Sequence, residues 1–293
     1  MKFELAEIVT KDKLVHQGIC YTPVTQGKKA ILWVHGLTSK FYSDIKLMNL
    51  FAQACNEHGM GFAAFNNRGH DYLAGAHRMD PKSKNGYVYE TIGSSVENFT
   101  ECIQDIDAAV AFFRDKGYSR VILVGHSSGA SKVCYYAGGV KDGRVGGVVL
   151  AGPMSDRYSA EKDTQSYERQ QNIVKQKIRE GKGDELLLGV GYFPLTPKRW
   201  ENLKGEKSPE DVFNYRDSSN ALATYEKIKA PLCVVLSGND EHADKPIEQI
   251  RKAFDEHARA KSYKSSIVSG ADHGFTGKEE EFVSTVIDWV TSL

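Results

Sequence analysis

The sequence predicts an α/β domain built on a mostly parallel, eight-stranded sheet, with helices on both faces and a helical segment inserted late in the chain. Three observations carry this. Short apolar runs without polar alternation recur between amphipathic stretches, as a sheet buried on both faces demands. The two opening runs alternate instead, and the whole pattern breaks between Pro153 and about Ala230. With 293 residues, 41% hydrophobic and 26% charged, the chain can bury one large core and still carry an inserted subdomain. The expected division is a core of residues 1–152 and 231–293 and a cap of residues 153–230.

In chain order, alternation in Phe3 to Val9 and Leu14 to Val24 predicts two antiparallel strands around the polar turn Thr10-Lys11-Asp12-Lys13. Ala30 to Val34, Gly61 to Phe65, Val121 to Val124, Val145 to Leu150 and Leu232 to Leu236 are the continuous runs of buried strands, and Ser262 to Val268 adds the eighth. Between them, Ile45, Met48, Phe51 and Cys55 recur at helical spacing and stop near Gly59. Phe99, Cys102, Ile103, Ile106, Val110 and Phe113 do the same, with Ser94 and Glu97 as a capping box and Gly117 as the stop. Phe282, Val286, Trp289, Val290 and Leu293 form the apolar side of a closing helix. Inside the inserted segment, Ile173, Val174 and Ile178 fit a helix, and Ser208-Pro209-Glu210-Asp211 reads as the start of another. Asp71 to Ser95, rich in Gly and Tyr, is expected to be irregular and to contribute to a site rim.

Composition narrows the function. Thirty-eight Lys and Arg balance thirty-eight Asp and Glu, so no net field draws the molecule to nucleic acid or to an anionic membrane, and a small neutral substrate fits better. The amino terminus lacks a leader pattern and no stretch is long and apolar enough to span a bilayer, which gives the expectation of a soluble, cytoplasmic protein. Five scattered cysteines without a CxxC pair are expected to be buried reduced thiols, and neither a metal nor a cofactor is expected. The sequence sets no oligomeric state.

The chemistry is concentrated in Gly125-His126-Ser127-Ser128-Gly129, which follows the apolar run Arg120 to Val124 and precedes the helix-compatible Ala130 to Ala137. A strand, a tight turn and a helix are what an exposed nucleophile needs, because the serine sits in a strained conformation and the glycines let the chain pass. Its hydroxyl needs a base. Of nine histidines, His35 and His70 belong to turns, His126 to the elbow itself, and His16, His58 and His257 to expected strand or helix surfaces. His273, in the loop Ser269 to Phe275 after the last strand, is the candidate base. Asp240, at the end of Pro231 to Asp240, is the candidate acid that orients it, with Glu241 and Asp156 as competitors. The backbone N–H groups of Leu37, in the run Ile31-Leu32-Trp33-Val34-His35-Gly36-Leu37-Thr38, and of Ser128 are candidate oxyanion donors.

Strand-HGLT, Asn67-Arg68-Gly69-His70, GHSSG, SGNDE and GADHGF together resemble the α/β-hydrolases. The resemblance covers most of the chain outside the inserted segment. It implies a Ser/Asp/His triad in that chain order, carried by Ser127, Asp240 and His273, and a carboxylic ester of a small to medium-sized substrate cleaved through an acyl-enzyme. One departure is local: many members place the acid three residues after the strand-end glycine, whereas Asp240 is two after Gly238 and Glu241 is three. The HGLT turn, the Asp-Glu pair and the helical insertion are further similar to a branch that includes fungal siderophore esterases.

Thioesterase, acyltransferase and C–C bond hydrolase chemistry use the same triad, and a non-catalytic small-molecule receptor can use the same fold. A metal enzyme would instead have to gather His70, Asp71, His77 and Asp80. For substrate contacts the candidates are His35, Thr38, His126, Tyr192, Phe193 and Trp200. Tyr158, Phe213 and Tyr215 could join them or form the insert's own small core, and Arg78 and Arg157 could hold a substrate carboxylate or be plain surface arginines.

Overall fold

The computed structural model describes residues 2–217 and 219–293. Its elements run β1 (Glu4–Val9), β2 (Val15–Tyr21), β3 (Lys29–Val34), α1 (Ile45–Glu57), β4 (Gly61–Phe65), β5 (Ala74–Met79), β6 (Tyr87–Ile92), α2 (Cys102–Asp115), β7 (Arg120–His126), α3 (Ser128–Gly139), β8 (Val145–Ala151), α4 (Asp156–Glu161), α5 (Thr164–Arg179), α6 (Pro197–Lys204), β9 (Leu232–Ser237), α7 (Ile247–His257), β10 (Tyr263–Val268) and α8 (Glu279–Ser292). Eight strands form one sheet in the order β1-β2-β4-β3-β7-β8-β9-β10. β1 and β2 pair antiparallel from Glu4↔Cys20 to Val9↔Val15, β2 pairs antiparallel with β4, and from β4 onward all neighbours are parallel.

The unbroken apolar runs now have a reason. Along β3, β7, β8 and β9 alternate side chains enter opposite cores: Ala30, Leu32, Val121, Leu123, Val148, Leu150, Leu232 and Val234 face one side, and Ile31, Trp33, Ile122, Val124, Val149, Cys233 and Val235 the other. The first side is covered by α2, α3 and α7 through Ile106, Phe113, Val133 and Phe254, and the second by α1 and α8 through Phe51, Cys55, Phe282 and Trp289. Each fully buried aliphatic or aromatic side chain of this kind stabilises the fold by about 1.5–3 kcal/mol, and slipping a strand by one residue would exchange the two sets. Residues 153–230, between β8 and β9, add α4, α5 and α6, and a separate small core of Tyr167, Val174, Val190, Phe193, Leu195 and Trp200.

Four local expectations change. Asp71 to Ser95 contains a regular antiparallel hairpin, β5 with β6, whose faces are so unevenly buried that no alternation marks it in sequence. Ser94 does not cap α2: its hydroxyl donates to the Gly69 carbonyl (2.5 Å) and accepts from the Thr38 N–H, while Glu97 turns inward to ion pairs. Ser208 starts a turn rather than a helix, because Glu210 is drawn to Arg199 and Val212 and Phe213 pack into the main core. His16, expected on a strand surface, is 1% exposed and bonds Asp105 at 3.0 Å. Burial alone would raise the Asp105 carboxyl, but His16 and Arg68 outweigh it and hold it far below the usual carboxylate range.

All five cysteines are buried free thiols. No helix among the described residues is long and apolar enough to cross a membrane.

Candidate active site

The parallel strands all deliver their carboxyl ends to one edge of the sheet, and the candidate residues follow from four of them: Leu37 after β3, Ser127 after β7, Asp240 after β9 and His273 after β10. Ser127 has φ 58° and ψ −128°, a conformation that costs a side-chain-bearing residue roughly 1–3 kcal/mol and persists only where the surroundings impose it. Those surroundings are the two glycines. A Cβ on Gly125 would lie 2.3 Å from the Gly129 carbonyl oxygen, and one on Gly129 would lie 2.1 Å from that of Val34. Strand β7, helix α3 and the turn after β3 close on each other only because neither residue has a side chain.

His273 Nε2 is 2.8 Å from Ser127 Oγ, and His273 Nδ1 is 2.8 Å from Asp240 Oδ2. Asp240, 8% exposed, also accepts from Ser237 Oγ (3.0 Å) and the His242 N–H (2.9 Å), so its carboxylate is fixed from three sides. Glu241 meets the same loop differently: its Oε2 accepts from the backbone N–H of His273 at 2.9 Å and does not reach the ring. The carbonyl of His273 accepts from His126 Nε2 at 2.8 Å. Burial disfavours the His273 imidazolium, yet the hydrogen bond and charge of Asp240, with help from Glu241 and Asp156, raise its pKa above the ordinary value. For Asp240, burial works toward a higher pKa, and His273, the His242 N–H and Ser237 together bring it below the usual range.

The turn after β3 presses against the nucleophile, since a Cβ on Gly36 would lie 2.9 Å from Ser127 Cβ. Neither Leu37 N–H nor Ser128 N–H, the latter in the first turn of α3, is used by another group among the described residues. The turn is fastened from below. His35 Nδ1–H donates to the Gly36 carbonyl (2.9 Å), and its Nε2 accepts from the Asn67 N–H (3.2 Å). Burial pushes its pKa down to about 3, which keeps that acceptor nitrogen unprotonated. Asn67 Oδ1 in turn accepts from the buried Lys132 ammonium at 2.8 Å, and Lys132 pairs with Glu97 at 2.5 Å. Glu97 faces Arg199 of α6 (3.4 Å), which pairs with Glu210 at 2.5 Å. Sequence patterning gave no warning of this chain of buried charges. A lysine inside an apolar helix face and an arginine buried in a charged segment were its only traces.

The cleft above Ser127 has a volume of about 220 Å³, and its walls include Gly36, Leu37, Met154, Asp156, Tyr192 and His242. Of the expected substrate contacts, Tyr192 (69% exposed) and His126 border it. His126 does so as a wall, stacked on Trp33 and held neutral by burial, which lowers its pKa to about 4. The others lie outside its lining. His35 is buried under the turn, Thr38 is half-buried with its N–H on Ser94, Phe193 is buried and stacked on Tyr72, and Trp200 is wholly inside the small core with its Nε1–H on Gln170. Arg78 is tied to Glu90 and the Asp12 carbonyl, and Arg157 to Glu161. His70 pairs with Asp71 while His77 stacks on Tyr87, and no three potential ligands gather for a metal among the described residues. Three larger hollows, about 940, 880 and 540 Å³, lie elsewhere, and none of the described residues lining them forms a serine–histidine hydrogen bond.

Solved structures with the same architecture include the siderophore hydrolase EstB from Aspergillus fumigatus (TM-score 0.68, 16% identity, covering 99% of this chain and 98% of that one). They also include Est1E from Butyrivibrio proteoclasticus, solved with ferulic acid bound (TM-score 0.65, 16% identity, 98% of each chain). A third is the Pyrococcus furiosus esterase PF2001 (TM-score 0.64, 18% identity, 99% of this chain and 91% of that one). No curated protein matches the sequence. The sheet order, the strand-turn-helix around Ser127 and these likenesses define an α/β-hydrolase fold. Within it, residues 83–293 match the family model DUF1749, described as a protein of unknown function, and the chain belongs to that family.

Proposed function

We propose that the protein is a serine hydrolase that cleaves carboxylic esters of small to medium-sized substrates. The observation that carries this is the unbroken chain from Ser127 Oγ through His273 to Asp240, two contacts of 2.8 Å, opening on a cleft. Ser127 Oγ attacks the ester carbonyl carbon while its proton passes to His273 Nε2, and Asp240 stabilises the imidazolium. The developing oxyanion takes hydrogen bonds from the Leu37 and Ser128 N–H groups. His273 then gives its proton to the departing alcohol, leaving an acyl-Ser127 that water, activated by His273, hydrolyses. A reacting group in a cleft of about 220 Å³ has the room of roughly seven water molecules, which favours compact acyl groups over long lipid chains.

Residues 153–230 serve as a cap over this site, since Met154, Asp156, Ser159 and Tyr192 all come from them. The names of the structural neighbours, esterases and a siderophore hydrolase, agree with ester cleavage. Five free thiols fit a reducing compartment, and we place the enzyme in the cytoplasm. The test is labelling with a fluorophosphonate probe together with p-nitrophenyl acetate turnover. Ser127→Ala is expected to abolish both, and turnover unchanged in that variant would overturn the reading.

A further inference from the structure

We propose that Asp156 makes this cleft select esters carrying a positively charged nitrogen, an ammonium or quaternary ammonium, close to the scissile carbonyl. This rests on the ester-hydrolase reading above. Asp156 opens α4 and borders the same cleft as Ser127 and His273. Among the described residues its carboxylate has neither a salt bridge nor a side-chain hydrogen bond, and no Lys or Arg lines the cleft with it. The nearby arginines and Lys162 are committed elsewhere. Arg157 pairs with Glu161, Arg199 lies between Glu97 and Glu210, and Lys162 donates to the Glu241 and Ala243 carbonyls. Lys204 lies over the Tyr192 ring, 5.8 Å from its centroid; it is the foremost charge acting on Asp156 but forms no salt bridge with it, and burial lowers its own pKa. Glu241, the next carboxylate, is turned away onto the His273 N–H.

A half-buried carboxylate without a hydrogen-bonded or ion-paired partner is unfavourable, and burial accordingly raises the pKa of Asp156 despite the charges of Lys204, Arg199, His242 and His273. A cation entering the cleft would supply the missing partner, whereas a substrate carboxylate would face repulsion with no compensating arginine. An acid in the first turn of a helix also suits the helix dipole. Any solvent-facing position in that turn would serve the dipole equally, so the dipole does not account for a side chain beside the nucleophile.

The test uses two pairs of esters with the same shape and different charge. On the alcohol side these are acetylcholine and 3,3-dimethylbutyl acetate; on the acyl side they are methyl 4-(trimethylammonio)butanoate and methyl 5,5-dimethylhexanoate. Release of acid is followed in a pH-stat, and the quantity read is the ratio of kcat/KM for cationic over neutral ester. The wild-type ratio is expected to be about tenfold or more in at least one pair. It should fall to near one in Asp156→Asn and below one in Asp156→Lys. Because both esters are read on one sample, partial misfolding of a variant cancels, and the wild-type ratio needs no variant. Turnover of the neutral esters with a flat ratio in both pairs, or an Asp156→Asn variant that keeps the preference, overturns the role of Asp156 and leaves the hydrolase reading intact. Absence of turnover of all four esters, with no probe labelling, overturns both.

Discussion

Replacing Asp240 by Asn tests the arrangement most directly, because the structure leaves the amide no good orientation. Asp240 Oδ2 accepts from His273 Nδ1 at 2.8 Å and from Ser237, and Oδ1 accepts from the His242 N–H at 2.9 Å. If the Asn carbonyl takes the Oδ1 place, its NH2 faces His273 Nδ1, which must then accept. The ring proton moves to Nε2, toward Ser127, where no lone pair remains to receive the serine proton. If the amide is flipped, NH2 meets the His242 N–H, and a buried donor facing a donor costs about 1–3 kcal/mol. Both forms also lose the negative charge that stabilises the imidazolium. A wrong-tautomer base together with that loss lowers kcat by roughly 10³–10⁴, or about 4–5.5 kcal/mol of barrier. Glu241→Gln keeps an oxygen for the His273 N–H, and a change below about threefold is expected at this solvent-facing group. The assay is kcat/KM on p-nitrophenyl acetate, with thermal melting as the check of folding. A folded Asp240→Asn enzyme retaining more than about a tenth of the activity, or Glu241→Gln as the more damaged variant, refutes the reasoning.

Three further outcomes follow from the same geometry. His273 must be neutral to accept a proton, and its pKa is raised, so kcat/KM falls as pH drops through a value above the ordinary histidine pKa of about 6.5; an acid limb centred below pH 6 contradicts this. In Asp240→Asn that limb moves to lower pH. Gly36→Ala puts a methyl 2.9 Å from Ser127 Cβ, and a nucleophile displaced by that contact loses about 10²-fold in kcat, with circular dichroism unchanged; full activity would show that the turn has slack. Arg199→Met leaves Glu210 buried without its cation and Glu97 with Lys132 alone, and costs about 3–5 kcal/mol in urea unfolding. Part of that loss returns when Glu210→Gln is added, and an unaltered midpoint for Arg199→Met alone counts against the network.

Much of the fold was legible in the chain itself. Unalternating runs such as Ile31 to Val34 and Val121 to Val124 determined a sheet covered on both faces, because only that placement removes every residue of the run from water. Ser127, Asp240 and His273 were candidates for one site for a similar reason, because strand ends of a parallel sheet deliver their loops to one edge whatever the spacing between them; their order came from the resemblance to α/β-hydrolases. What the sequence left open lay in directions of side chains. Asp240 and Glu241 are chemically alike and adjacent, and only the β9 backbone decides that one carboxylate reaches the His273 ring and the other its N–H. Phe193 and Trp200 could have lined a pocket until packing turned them into a core of their own, leaving Tyr192 at the cleft. The buried line from Lys132 through Glu97 to Arg199 and Glu210 joins segments far apart in sequence, so no local pattern could announce it. Asp156 is the sharpest case. In sequence it competes with Asp240 for the place of the acid, and it becomes a carboxylate on the wall of the nucleophile's cleft, bonded to no histidine, only when the chain after β8 folds back over the sheet edge.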